Sequence, residues 1–195
     1  MPSLTAFIKS LLIATVIGLV GAGLFIYSGL YPIGADVPHN KLSYWLLETL
    51  RERSIARAAS DIQIPDNLNT SDRLLAGGAD YNDMCAGCHL KPGKKESDFT
   101  IGLYPSPPNL TATADAHEHE HSGGSDDDGN DAAIQRQFWI IKHGIKASGM
   151  PAWGPTHSDE RIWNMVAFLQ RLPSLTPDQY QILTARGNTS DSHDH

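Results

Sequence analysis

The chain has only two cysteines, and no histidine or charged side chain lies between Lys9 and Asp36. Without a second cysteine pair there is no four-thiolate set for a closed zinc site. No run alternates convincingly between apolar and polar residues, so no strand is expected. The βαβ pattern that would accompany a thioredoxin-like dithiol is missing with it. Clustered basic residues are also lacking, which argues against nucleic-acid binding. At 195 residues there is room for one ordinary domain with accessories, and a second full core is not expected.

What the chain does have is segregated. Hydrophobic residues make up 41%, but many are gathered at the start, where residues 11–30 are nearly all aliphatic, aromatic or glycine. A run of about 20 such residues spans the hydrocarbon core of a bilayer. The apolar part of a secretory signal peptide usually runs to about 7–15 residues, so an uncleaved anchor over 10–35 is the favoured reading. A removed signal, with Ile33-Gly34-Ala35 as a weak cleavage site, is its competitor. Lys9 and the chain amine favour a cytoplasmic position for 1–9, leaving everything from Asp36 onward outside the cytoplasmic membrane. Lysine and arginine total 15 against 22 acids; setting Lys9 aside leaves the exported part near −8. Seven acids fall between Asp115 and Asp131, so the net charge describes one stretch of chain.

After the anchor, 36–70 is expected to form a stalk and linker. Leu42, Trp45, Leu46, Leu50 and Ile55, interleaved with Arg51, Arg53 and Arg57, give an amphipathic helix ending near Ala59. Its role is that of a stalk lying against the globular domain or the membrane surface, or a helix that binds a partner. Ser71 is expected to cap a helix through Leu74, Leu75, Tyr81 and Met84. The proline-rich stretch 91–110 reads as an irregular loop. A polar insertion over 113–131, with His117, His119 and His121 alternating with Glu118 and Glu120, has little to bury and is expected to be flexible. Helices are expected over 132–143 and from Asp159 to Leu172, the latter ended by Pro173. The remaining segment, 176–195, is expected to be a polar tail.

Both cysteines fall in Cys85-Ala86-Gly87-Cys88-His89. Two thiols at this spacing meet the two vinyl groups of a haem, and the adjacent histidine is delivered to its iron, so the motif attaches one c-type haem covalently. A sixth iron ligand is then needed. Met1 is at the chain start, Met84 is tied beside Cys85, and Met165 sits on the apolar face of a helix, where a packing role suits it. Met150 lies in Gly149-Met150-Pro151-Ala152-Trp153-Gly154, where glycine and proline keep the thioether out of a helix. His143 is the rival, although a helix-terminal position suits a cap or a surface group.

With these residues the chain resembles the class I c-type cytochromes, in particular bacterial membrane-bound monohaem forms. The resemblance covers about half the chain, within an expected domain over 71–175. It rests on Gly78 and Tyr81, the Cys-x-x-Cys-His motif, Pro107-Pro108-Asn109-Leu110, the 149–154 turn and the aromatic last helix. It implies an all-α fold of about three to five helices around one haem. The first and last helices would cross at a small residue and an aromatic, for which Gly77 or Gly78, Tyr81, and Trp163 or Phe168 are the matching residues. It also implies that Pro107 or Pro108 offers a carbonyl that orients His89. Leu90 stands where the family commonly has glycine, and the acidic insertion has no counterpart in the minimal pattern. Leu110, Phe138, Ile141, Ile145 and Trp153 are candidates for the apolar haem wall.

The function expected is single-electron transfer between membrane-bound or periplasmic redox proteins, a reductase or terminal oxidase, with no catalytic residue. Two rivals stand beside it. A labile Met150 would make the chain a haem enzyme or small-ligand sensor, with His143 or His157 as base. The imidazoles of His117, His119 and His121 with their neighbouring carboxylates are dense enough to hold Cu²⁺, Ni²⁺ or Zn²⁺, against a plain solvated loop.

Overall fold

The computed structural model describes residues 3–112 and 126–186, the latter without the side chains of 126–128. The described residues contain eight α-helices and no strand. Two compact units divide at Val37 and Pro38.

The first unit is dominated by α1, Leu4–Ser28, whose side chains are all exposed or nearly so. Ser3 caps its start by accepting from the Ala6 amide, and Gly29 ends it at a φ of 66°, a left-handed conformation that glycine adopts without steric cost. Its 25 residues reach about 37 Å at about 1.5 Å per residue, long and apolar enough to cross a bilayer.

The second unit is built around two crossing helices, α3 (Ser71–Asp80) and α7 (Asp159–Arg171). They touch backbone to backbone because of one glycine. A β-carbon on Gly77 would stand 1.9 Å from the Asn164 carbonyl oxygen, so no other residue fits without moving a helix. Gly78 serves a second approach, with Phe168 on one side and the Leu183 carbonyl on the other. Tyr81 fills the crossing against Phe168, their ring centroids 5.4 Å apart. Tyr81, Phe168 and Leu172 are fully buried, each side chain contributing about 2 kcal/mol or more through removal from water. Trp163 serves a different contact, stacking at 4.1 Å on Phe138 of α6 (Asp126–His143). An ion pair closes the crossing at its side: Arg161 donates to both carboxylate oxygens of Asp80 at 2.7 and 2.8 Å. Asp80 is buried, so losing the arginine would strand its charge at a cost on the order of 3 kcal/mol.

Several expectations are corrected. Thr70, not Ser71, occupies the position before the first turn of α3, and Ser71 is the first helical residue. The proline-rich stretch is not wholly irregular, for α5 (Asp98–Gly102) forms within it under a reciprocal cap between Ser97 and Thr100. Helix α6 starts at Asp126, so the end of the stretch expected to be flexible is helical. Residues 113–125, with His117, His119 and His121, lie outside the described residues. The segment 176–195 is more than a polar tail. Thr176 and Gln179 cap α8 (Pro177–Thr184), which packs Tyr180 into the core against Tyr81 and Phe168.

Helix α2 (Lys41–Ala59), started by the Asn40 side chain accepting from the Ser43 amide, docks through its last turns only. Ile55 and Ala59 are buried, and Glu52 pairs with Arg136 of α6 and with Arg51. Burial alone would raise the Glu52 carboxyl, but Arg136 and Arg51 outweigh it and hold the group below the usual carboxylate range. A carboxyl lowered on folding stabilises above its unfolded pKa and loses that stabilisation as pH falls through the folded value. Acidification below about pH 4 is therefore expected to loosen α2 from α6 before the rest opens. Faster amide exchange in α2, reproduced at neutral pH by Glu52→Gln, is the measurement that checks it.

Candidate functional site

The site forms where α3 runs out. Its backbone widens into a π turn, Tyr81–Cys85, in which the Ala86 amide bonds back to the Tyr81 carbonyl. A final short helix, α4 (Ala86–His89), follows. Cys85 and Cys88 are free thiols, both half-buried. Cys85 sits at the meeting of the two hydrophobic clusters, one built on α6 and α7 and the other on Tyr81, Phe168 and Tyr180. Burial, with the Asp80 carboxylate and the Cys88 thiol nearby, pushes its thiol up to about 12. A thiol held protonated is a poor nucleophile, the reverse of what a redox-active dithiol requires.

His89 is oriented from both sides. Its Nδ1 lies 2.9 Å from the Pro108 carbonyl oxygen. A carbonyl only accepts, so Nδ1 carries the proton and Nε2 keeps its lone pair. Of the two candidate prolines, Pro108 makes this bond. Burial lowers the imidazole pKa and outweighs the opposing Pro108 bond, leaving the ring neutral, the form that binds a metal. The backbone is fixed as well. The buried Tyr81 hydroxyl donates to the Leu90 carbonyl at 2.8 Å and lies 3.2 Å from that of His89. The Leu110 amide donates to the His89 carbonyl at 3.2 Å. Leu90 has a φ of 71°, in the left-handed region where glycine is at ease. Its side chain is buried, and that burial offsets the backbone strain.

Met150 is held in the turn after α6. Its amide donates to Ser148 Oγ at 3.1 Å, and its carbonyl accepts from the Ile145 amide at 3.1 Å. Gly144, at a φ of 64°, lets the chain double back so closely that a β-carbon there would meet Pro151 and Ala152 at 2.7 Å. Met150, Trp153, Met84 and Cys85 pack against the same cluster as Phe138 and Ile141. Leu110 packs instead on the second cluster, beside Tyr81 and Phe168. His143 is exposed at the end of α6, its ring on Trp139, and His157 lies edge-on to Trp153 ahead of α7.

Several supporting residues carry little signal in the sequence. Ser97 Oγ donates to the Gly87 carbonyl at 2.6 Å, and Leu103 lies against Gly149. Helix α5 thus braces both the cysteine motif and the methionine turn. The Ser97-x-x-Thr100 spacing is a faint cap signature that would have marked it. The Asp80–Arg161 pair, separated by 81 residues, leaves none.

The residues present fit a covalently held haem. Two thiols in one turn and a neutral imidazole with a free Nε2 offer what covalent haem attachment needs, and Met150 carries a thioether in a turn that packs, like Cys85, on the cluster of α6 and α7. Among the described residues no group of three or more histidine, cysteine, aspartate and glutamate side chains is arranged to hold a bare metal ion. Residues 72–169 match the model of one protein family, described as Cytochrome C oxidase, cbb3-type, subunit III. No curated protein and no solved structure matches the chain.

Proposed function

The chain belongs to the cytochrome c oxidase, cbb3-type, subunit III family, and from that premise we propose that it is a membrane-tethered monohaem c-type cytochrome passing single electrons between respiratory partners. The family's cytochrome c domain has an all-α class I fold, carries covalently bound haem c and serves electron transfer. The observation that carries the finer reading is the Nδ1 bond of His89 to Pro108, which leaves Nε2 free beside two thiols of the same turn.

When bound, haem c supplies a one-electron couple at its iron. Cys85 and Cys88 would hold it by thioether bonds, His89 would ligate through Nε2, and Met150 would ligate through sulfur. The Pro108 carbonyl keeps the imidazole in one tautomer and one orientation, which limits rearrangement between oxidation states. Phe138, Ile141 and Trp153 would help exclude water from the group, and a thioether ligand together with histidine would favour the reduced iron. Two protein ligands would leave no position for a substrate, as a carrier requires. Helix α1 tethers the domain to the outer face of the cytoplasmic membrane, raising its local concentration near an oxidase complex and the reductase that feeds it.

Full-length protein made with a haem-attachment system is expected to keep its haem on a denaturing gel. The Cys85→Ser/Cys88→Ser double variant is expected to lose it. The ferrous protein is expected not to bind carbon monoxide at neutral pH. Ready binding would point to a haem enzyme or ligand sensor with a labile Met150, and a native chain that retains no haem would overturn the reading.

A further inference from the structure

Helix α2 is docked at one end and uncovered at the other. In residues 41–50 six large apolar side chains are exposed: Leu42, Tyr44, Trp45, Leu46, Leu47 and Leu50. At about 100° per residue these six take up most of the helix perimeter. A helix apolar on nearly every side belongs in a protein core or in lipid, and Leu42 at 71% and Leu50 at 64% exposure are in neither core cluster.

Charge separates the two sides of the helix. Its only acids, Glu48 and Glu52, lie on the side of Ile55 and Ala59 and are paired with Arg51 and Arg136. The opposite side carries one stripe, Leu42, Leu46, Leu50, Arg53 and Arg57, at helical spacing. Its first three positions are apolar and its last two cationic, with no acid in it. Both arginines are exposed. Apolar side chains suit the acyl boundary of a bilayer, arginine heads suit the phosphate layer just above, and Tyr44 and Trp45 are the residues enriched at that depth.

We propose that residues 41–50 of α2 lie in the interfacial layer of a phospholipid membrane, with Arg53 and Arg57 on lipid phosphates. The inference rests on the reading that α1 anchors the chain. The twelve residues between Ser28 and Lys41 extend to about 40 Å at most, so an anchored chain keeps the start of α2 within reach of the surface. The helix then gives the domain a second point of attachment and limits its rotation about the tether.

The test uses full-length, haem-loaded protein in vesicles of phosphatidylcholine and phosphatidylglycerol. Both native thiols are then consumed in thioether bonds, so Leu46→Cys takes a nitroxide label at one place only. Gln181→Cys, at an exposed position of α8, is the reference. At position 46 collisions with oxygen, which dissolves in lipid, are expected to exceed those with a water-soluble nickel chelate several-fold, and the order is expected to reverse at 181. Flotation of the vesicles reads the anchor separately. Protein that floats while its label at 46 is open to nickel overturns the interfacial helix alone. A label at 46 shielded from both reagents, with spin–spin broadening, means that a second copy covers the face and also overturns it. Protein that does not float overturns the anchor and this inference with it.

Discussion

Met150→Ala is expected to remove the weak near-infrared band that a methionine sulfur gives to ferric haem. It is also expected to lower the midpoint potential by on the order of 0.2 V, a fraction of the ~0.8 V range that axial ligands span. The direction follows from the ligand, because a thioether stabilises the ferrous state relative to harder donors. The effect should be local. Met150 is only half-buried, and its turn is held by backbone and Ser148 bonds that alanine keeps. The folded domain, followed by far-ultraviolet circular dichroism, should therefore survive while the band and the potential change. Carbon monoxide should bind the ferrous variant at the opened position. A band that persists in Met150→Ala would mean that another methionine, Met84 or Met165, ligates the iron. A native protein without the band would mean an open or bis-histidine site.

Gly77→Val is expected to be the most damaging single substitution in the core, costing about 3 kcal/mol or more, the upper part of the range for overpacking. The added β-carbon alone would overlap the Asn164 carbonyl, and backbone cannot swing aside as a side chain can. Separating α3 from α7 would also loosen the Arg73 bonds to Asn164 Oδ1 at 2.8 Å and to the Glu160 carbonyl. Gly102→Ala, with open space around the position, should stay within about 0.5 kcal/mol. Urea unfolding monitored by fluorescence compares the two, and equal midpoints would show that the crossing tolerates separation.

The chemistry of this chain was legible because it is confined to five consecutive residues, a spacing that packing cannot disguise. The methionine turn was legible for a related reason, since glycine and proline state their backbone demands locally. Choices made in three dimensions were not. Whether Pro107 or Pro108 meets His89 depends on the path of a loop 19 residues away. Whether Gly77 or Gly78 lies under the crossing depends on helix phase, and in the event each serves a different neighbour. Helix α8 was missed although Thr176-Pro177-Asp178-Gln179 carries a capping pair and a proline at the first helical position. Its short length and mixed polarity outweighed those signs in reading the end of the chain as polar. The apolar residues of α2 were recognised as one face of an amphipathic helix, but the structure buries only its far end.

The π turn at Tyr81–Cys85 sets an angular offset within the chain. Gly77 and Gly78 are keyed to α7 and α8 by backbone contact, while His89 is keyed to Pro108 and the cysteine turn to Ser97. Between the two sets the helix widens, and everything after it is turned relative to everything before. Register here is counted in residues: deleting one between Gly78 and Cys85 would rotate the imidazole by about 100°, away from its carbonyl, with composition and hydropathy nearly unchanged. Anyone grafting this motif onto another helical scaffold must therefore carry over the spacing upstream of the cysteines as strictly as the cysteines themselves.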